Sequence, residues 1–138
     1  MSELTRLSFS IEQDLLDKLE VLIKNTPYQN RSEFLRDLIR AKLVDQEWEA
    51  NEEAIGTITL IYDHHSRLLN EKLTELQHDH HQHILASTHI HLNHDLCAEM
   101  IMVKGRASEI KHLEALLQQP KGVLHATLSM TSTGKQLR

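Results

Sequence analysis

The chain has 138 residues, with 15 Lys and Arg against 20 Asp and Glu, a formal charge of −5 and a hydrophobic fraction of 40%, which suits one ordinary domain or two very small ones. A single cysteine excludes an internal disulfide and points to a reducing, cytoplasmic setting. No apolar run approaches transmembrane length, so no membrane role is expected, and Met1-Ser2-Glu3-Leu4 opens no signal peptide.

All eleven histidines lie beyond residue 50, so the chain reads as two modules. In the first, residues 5–11 alternate: Leu7, Phe9 and Ile11 share one face, Arg6, Ser8 and Ser10 the other. An isolated strand is not stable alone and must pair. Ser10 with Gln13 resembles a capping box for a helix running to about Lys24, with Leu15, Leu16, Leu19, Leu22 and Ile23 on one stripe. Residues 25–29, with Pro27, break it. Asn30 and Glu33 are placed as N-cap and N3 of a second helix that carries Phe34, Leu35, Leu38, Ile39 and Leu43 toward Trp48.

Strand, helix, helix in fewer than fifty residues cannot close a core as a monomer, but two copies can. This is the ribbon-helix-helix (βαα) arrangement of MetJ- and Arc-like repressors, in which a two-stranded ribbon enters the DNA major groove. Arg6, Ser8 and Ser10 are then the residues facing double-stranded DNA. The start of the second helix, at Asn30, Arg31 and Ser32, offers free backbone N–H groups to phosphate. Residues 1–50 hold seven basic and ten acidic side chains, a poor balance for a general DNA binder, yet the outward face from Arg6 to Ser10 carries no acid. A dimerisation module without a DNA role is the alternative. An enzyme is not expected, since this half has no His, no Cys and no phosphate-binding glycine loop.

Past a polar stretch at 49–54, the second module, residues 54–131, reads as a strand at 55–62, a helix at about 66–81, two strands meeting at an Asn93-His94-Asp95 turn, a helix at 108–118 and a strand at 123–130. Lys104-Gly105 and Pro120-Lys121-Gly122 punctuate the ends. The order βαββαβ is ferredoxin-like, making the whole chain α+β. The tail, 132–138, is polar and expected to fray.

The stretch His78–Cys97 holds seven of the histidines and the only cysteine. On a strand, His89 and His91 point to the same face. The returning strand brings Cys97 beside them, so three nitrogen and sulfur donors converge into a metal site lacking one ligand. Such a set suits Ni(II) or Cu(II) in planar geometry and Zn(II) in tetrahedral geometry, and the donors alone leave that choice open.

The strand from Arg6 to Ser10, the segment 28–33 and the spacing Gln77-His78 … His89-Ile90-His91 … Cys97 together resemble the nickel-responsive transcriptional regulator (NikR) family over about Leu4 to Met130. The resemblance implies a homotetramer, a dimer of dimers, in which a core of ACT-like βαββαβ domains is flanked by two ribbon-helix-helix dimers. It implies that the fourth ligand is His78 of a different subunit, giving one Ni(II) per subunit. In agreement, Glu71, Glu75 and His78 lie opposite the Leu69, Leu73 and Leu76 stripe. It further implies a second cation site between the domains, with Glu33 and Asp37 as carboxylates, and repression of nickel-uptake genes when Ni(II) is bound. Ser8 and Ser10 depart from the threonines frequent in relatives, which puts operator preference in doubt. Two competing functions remain: a histidine-rich metal buffer or chaperone, and a metal-independent ribbon-helix-helix repressor or antitoxin.

Overall fold

The computed structural model describes residues 3–138. Its elements are α1 (Gln13–Lys24), α2 (Arg31–Glu49), β1 (Glu53–Asp63), α3 (Arg67–Asp79), β2 (Ile84–His91), β3 (Leu96–Arg106), α4 (Ala107–Gln118) and β4 (Val123–Ser132). They fall into two compact units: one ends at Leu43 and takes in Gln136–Arg138, and the other is Val44–Lys135.

In the first unit, residues 3–12 make no ladder hydrogen bonds in the lone chain, and Leu4, Leu7 and Phe9 stand exposed. A ribbon strand takes its partner from a second copy, so a single chain cannot display it. The expected Ser10 cap is not formed. The N-cap is Glu12, with no side-chain bond, and its carbonyl accepts from the N–H groups of Leu15 and Leu16; Ser10 lies two residues too early to reach them. The second cap forms as expected on one side: Asn30 Oδ1 accepts from the Glu33 N–H at 2.9 Å. Glu33 does not reach back, because its carboxylate takes Arg36 instead. Tyr28 packs edge-on against buried Phe34, with centroids 5.3 Å apart, closing the loop between the helices.

The second unit holds a four-stranded sheet in the order β2-β3-β1-β4, antiparallel throughout. Period-two alternation sends Ala54, Ile58, Leu60 and Tyr62 of β1 and Ile101 and Val103 of β3 into the core, against Leu69 and Leu73 of α3 and Ile110, Leu113 and Leu117 of α4. Fully burying each such aliphatic side chain stabilises the fold by about 1.5–3 kcal/mol. Gly56 permits the close approach of β4, since a Cβ there would come within 2.9 Å of Leu128 Cδ1 and 3.2 Å of the Ser129 carbonyl.

The last turns of α2 belong to this unit. Trp48 is buried and donates from Nε1 to the Thr131 carbonyl at 2.9 Å. Asn51 then stops the helix with φ +56°, a conformation asparagine tolerates better than most residues, and its Oδ1 receives the Ser108 N–H near the start of α4. Ser66 caps α3 by accepting from the Leu69 N–H.

Two expectations need correcting here. β3 does not end at Lys104-Gly105 but continues to Arg106, with Gly105 opposite Ala54; a Cβ at Gly105 would come within 2.8 Å of His83 Nδ1, so the glycine admits that ring. Nor is the tail featureless. Ser132 Oγ accepts from the Gly134 N–H, and within the first unit the Leu137 carbonyl accepts from Arg40 Nε. Among the described residues, no helix is long and apolar enough to cross a membrane.

Candidate metal centre

The register of the sheet builds the centre. Cys97 is opposite Tyr62 on one side and His91 on the other, and Glu99 is opposite Leu60 and His89. All these side chains lie on the helix-facing side of the sheet. His91 Nδ1 is 3.3 Å from Cys97 Sγ, and the His89 and His91 rings have centroids 5.2 Å apart. The expected pair of strand histidines with the cysteine across the hairpin is thus present. The hairpin closes through Asn93, whose Oδ1 accepts from the N–H groups of Asp95 and Leu96, an Asx turn of the kind its composition suggests.

Burial sets the electrostatics. Cys97 is fully buried, and loss of solvation, followed by the nearby Glu99 charge, raises its thiol above the ordinary value. Burial likewise pushes Tyr62 up to about 12, with Glu99 and Cys97 adding to the effect, so its phenol stays protonated. Tyr62 Oη and His89 Nδ1 share a hydrogen bond. Glu99, also buried, accepts from Gln77 Nε2 at 2.9 Å and Ser87 Oγ at 2.8 Å, tying the end of α3 to β2 and β3.

His78 is exposed in the last turn of α3, on the opposite side from buried Leu69 and Leu73, with its ring 6.1 Å from that of His81. It is not among the donors that converge within one chain. The third donor close to His91 and Cys97 is instead His64, all three ligand atoms lying within 4.8 Å of one another. His64 Nδ1 is buried and without a hydrogen-bond partner. A cavity of about 240 Å³ opens here, lined in part by Tyr62, His64, His89, His91 and Glu99. Three imidazoles line this cavity, one with an orphaned nitrogen, and with the neighbouring Cys97 thiol they form a donor set that fits a late divalent transition metal.

Spacing alone does not reveal Tyr62 or Glu99, nor that His64, one of the remaining histidines open to a weaker site or a supporting role, lies beside His91 and Cys97. The one available sign is Glu99, an acid at an inward position between Cys97 and Ile101. Elsewhere, Arg6, Ser8, Ser10 and Ser32 are exposed. Asn30 is engaged as a cap, and Arg31 pairs with Glu20 on α1. Glu33 and Asp37 are each taken by an arginine, Arg36 and Arg40, and Asp37 also accepts from Tyr28 Oη. Those hydrogen bonds, Tyr28 first, hold the Asp37 carboxyl below the usual range.

Comparison with known proteins covers both halves of the chain. Residues 55–131 match the family described as the NikR C-terminal nickel-binding domain, and residues 5–46 match the ribbon-helix-helix proteins of the copG family. A protein of Solibacter usitatus is 49% identical over 139 residues, covering 100% of both chains. One of Geobacter sulfurreducens is 47% identical over 99% of each, and one of Desulfotalea psychrophila is 48% identical over 97% of this chain and 98% of its own. Each of the three carries the name of a nickel-responsive regulator. Among solved structures, an uncharacterized protein of Thermotoga maritima superposes with a TM-score of 0.53 at 18% identity, covering 57% of this chain and 98% of its own, a likeness of fold alone. With both halves matched and relatives aligned end to end, the chain belongs to the nickel-responsive regulator family.

Proposed function

We propose that this protein is a nickel-dependent transcriptional regulator, not an enzyme, working in the reducing cytoplasm as a homotetramer that binds one Ni(II) per subunit. His89, His91 and Cys97 of one chain and His78 of another are its ligands. The observation that carries the reading is the approach of His91 Nδ1 to Cys97 Sγ, with His89 alongside and His78 turned outward from its own core. A ligand that faces away from its own site can serve a neighbour's. The outer face of the sheet supports assembly: Ile90, Leu92, Met100 and Met102 are large, apolar and exposed on it.

Exposed Leu7 and Phe9 are on the apolar side of a ribbon awaiting its second copy. Pairing in this way turns Arg6, Ser8 and Ser10 toward a double-stranded operator, and the amide groups at Asn30, Arg31 and Ser32 toward its phosphates. The Arg31–Glu20 pair is exposed and therefore weak enough to exchange for phosphate. Residues 1–50 are the DNA-binding domain and 54–131 the metal-binding and tetramerising one. A cation held by Glu33 and Asp37 would have to displace Arg36 and Arg40 from them.

A site shared between subunits links metal to quaternary arrangement, because the metal favours whichever arrangement completes its ligands. A coupling of ~1–3 kcal/mol changes operator affinity about 5–150-fold, and joining two ribbon ends adds avidity. The output is repression of nickel uptake when nickel is plentiful. The test is operator binding with and without Ni(II) for the wild type and Cys97→Ala. The variant is expected to stay folded and oligomeric while losing the response; a Cys97→Ala protein that still responds to nickel would overturn the site.

A further inference from the structure

The connection from α3 to β2 holds three further histidines, and each has its Nδ1 against a backbone carbonyl. His80 Nδ1 is 2.8 Å from the Leu76 carbonyl, His81 Nδ1 is 3.0 Å from that of His78, and His83 Nδ1 is 3.2 Å from that of Lys104 on β3. A carbonyl only accepts, so in each ring Nδ1 carries a hydrogen. The first two rings therefore cap the last turn of α3, where a helix leaves carbonyls without amide partners. The backbone is engaged as well. The N–H groups of His80, His81, His83 and Ile84 donate in turn to the carbonyls of Gln77, His78, His80 and His81, and the Lys104 N–H donates to the His83 carbonyl at 2.7 Å. Residues 78–84 thus form consecutive turns, and a shift at one end is carried to the other.

His83 is where this run is fastened. Its half-buried ring fills the space left by Gly105, and its Nε2 is 2.8 Å from Oε2 of Glu109. Both of its partners accept, so the ring satisfies both only with a hydrogen on each nitrogen, as an imidazolium. Glu109 stands in the first turn of α4, whose dipole favours a carboxylate there, and its neighbour Ile110 is fixed in the core. Lys104, whose carbonyl holds the ring, turns its own Nζ to Glu53 of β1, 3.7 Å away. The pairing is thereby left to His83 and Glu109, partly out of solvent, where charges are screened less than on an open surface.

We propose that His83 and Glu109 are positioning residues for the metal centre: their ion pair fastens the α3–β2 connection to α4, and so holds His78 where a neighbouring subunit can use it as a ligand. Neither residue is itself a ligand. The positioning role rests on the reading of His78 given above; the fastening of the connection does not.

The experiment uses the full chain in one mildly acidic buffer, in which imidazole is ordinarily cationic. Hydrogen exchange of the metal-free protein at the amides of residues 80–84 is expected to quicken about tenfold in His83→Gln and in Glu109→Gln. It is expected to return to within about threefold of the wild type in His83→Glu/Glu109→Lys, where the charges are exchanged. Wild-type exchange in both single variants, or no recovery in the exchanged pair, overturns the fastening. Nickel affinity, read by competition with a chelator, is expected to fall about tenfold in each single variant and to recover in the exchanged pair. His83→Gln made in a His78→Ala protein is expected to cost no further affinity, because the ligand it positions is gone. A full further loss in that background overturns the positioning role. If His78→Ala alone binds nickel as the wild type does, the reading of His78 as a ligand falls and the positioning role with it, while the exchange result still decides the fastening.

Discussion

Tyr62 Oη lies 3.2 Å from Nδ1 of His89, so this ring has only Nε2 left to offer a metal. With the Nδ1–H donating to the phenol oxygen, the lone pair on Nε2 is free and the ring is held in one orientation. The phenol is pushed up to about 12 and remains neutral, so it does not add a negative charge at the site.

Tyr62→Phe keeps the buried ring and removes only that bond. Nickel affinity is expected to fall about tenfold, the usual cost of losing a partner behind a ligand, with stability down by about 1 kcal/mol. Competition titration against a chelator and urea unfolding of the metal-free protein check the two effects separately. Unchanged affinity would remove Tyr62 from the centre.

The raised thiol of Cys97 sets a pH dependence. At neutral pH the group carries its proton in the metal-free protein, and the metal must displace it. Apparent nickel affinity is therefore expected to strengthen by about tenfold per unit as pH rises toward the thiol's own value, and to weaken as pH falls. Calorimetry in two buffers of different ionisation enthalpy should show about one proton released from the cysteine for each nickel bound. No release would mean that sulfur is not a ligand.

Arg6→Ala separates reading of DNA from metal sensing. Removing a guanidinium that grips a base edge is expected to weaken operator binding by about 1–3 kcal/mol, with nickel stoichiometry and the sulfur band unchanged. A metal buffer would predict no change in any activity, so retained operator binding in a gel-shift series would favour that function.

Leu113→Ala tests the core beneath the sheet. The side chain is 1% exposed between α4 and the strands, and its truncation should cost about 2–5 kcal/mol as the lost burial and the residual cavity add. Thermal unfolding measures this directly. A cost below about 1 kcal/mol would mean the helix layer is much looser than its burial implies.

Most elements could be read before any coordinates, because local rules and tertiary packing agree. The alternation in β1, the stripe of α4 and the Asn30 cap each have a purely local cause. What could not be read depends on register. His64 and Cys97 are 33 positions apart, and only the pairing of Tyr62 with Cys97 brings the end of β1 to the metal centre. The Ser10 cap fails for a smaller reason: α1 begins later than the serine can reach, so the Glu12 carbonyl receives its first amides unaided. The strand ahead of it has no partner within its own chain, and no amount of local pattern can supply one.

The seating of Cys97 has a chemical consequence of its own. A thiolate is the form that oxidants and alkylating agents attack, and this sulfur is both out of solvent and held in its protonated form by its surroundings. The metal-free protein is therefore expected to react more slowly with peroxide than an exposed thiol would. With no second cysteine in the sequence, it also has no intramolecular route to a disulfide. A regulator that waits for long periods without its metal can in this way remain competent to respond when the metal arrives.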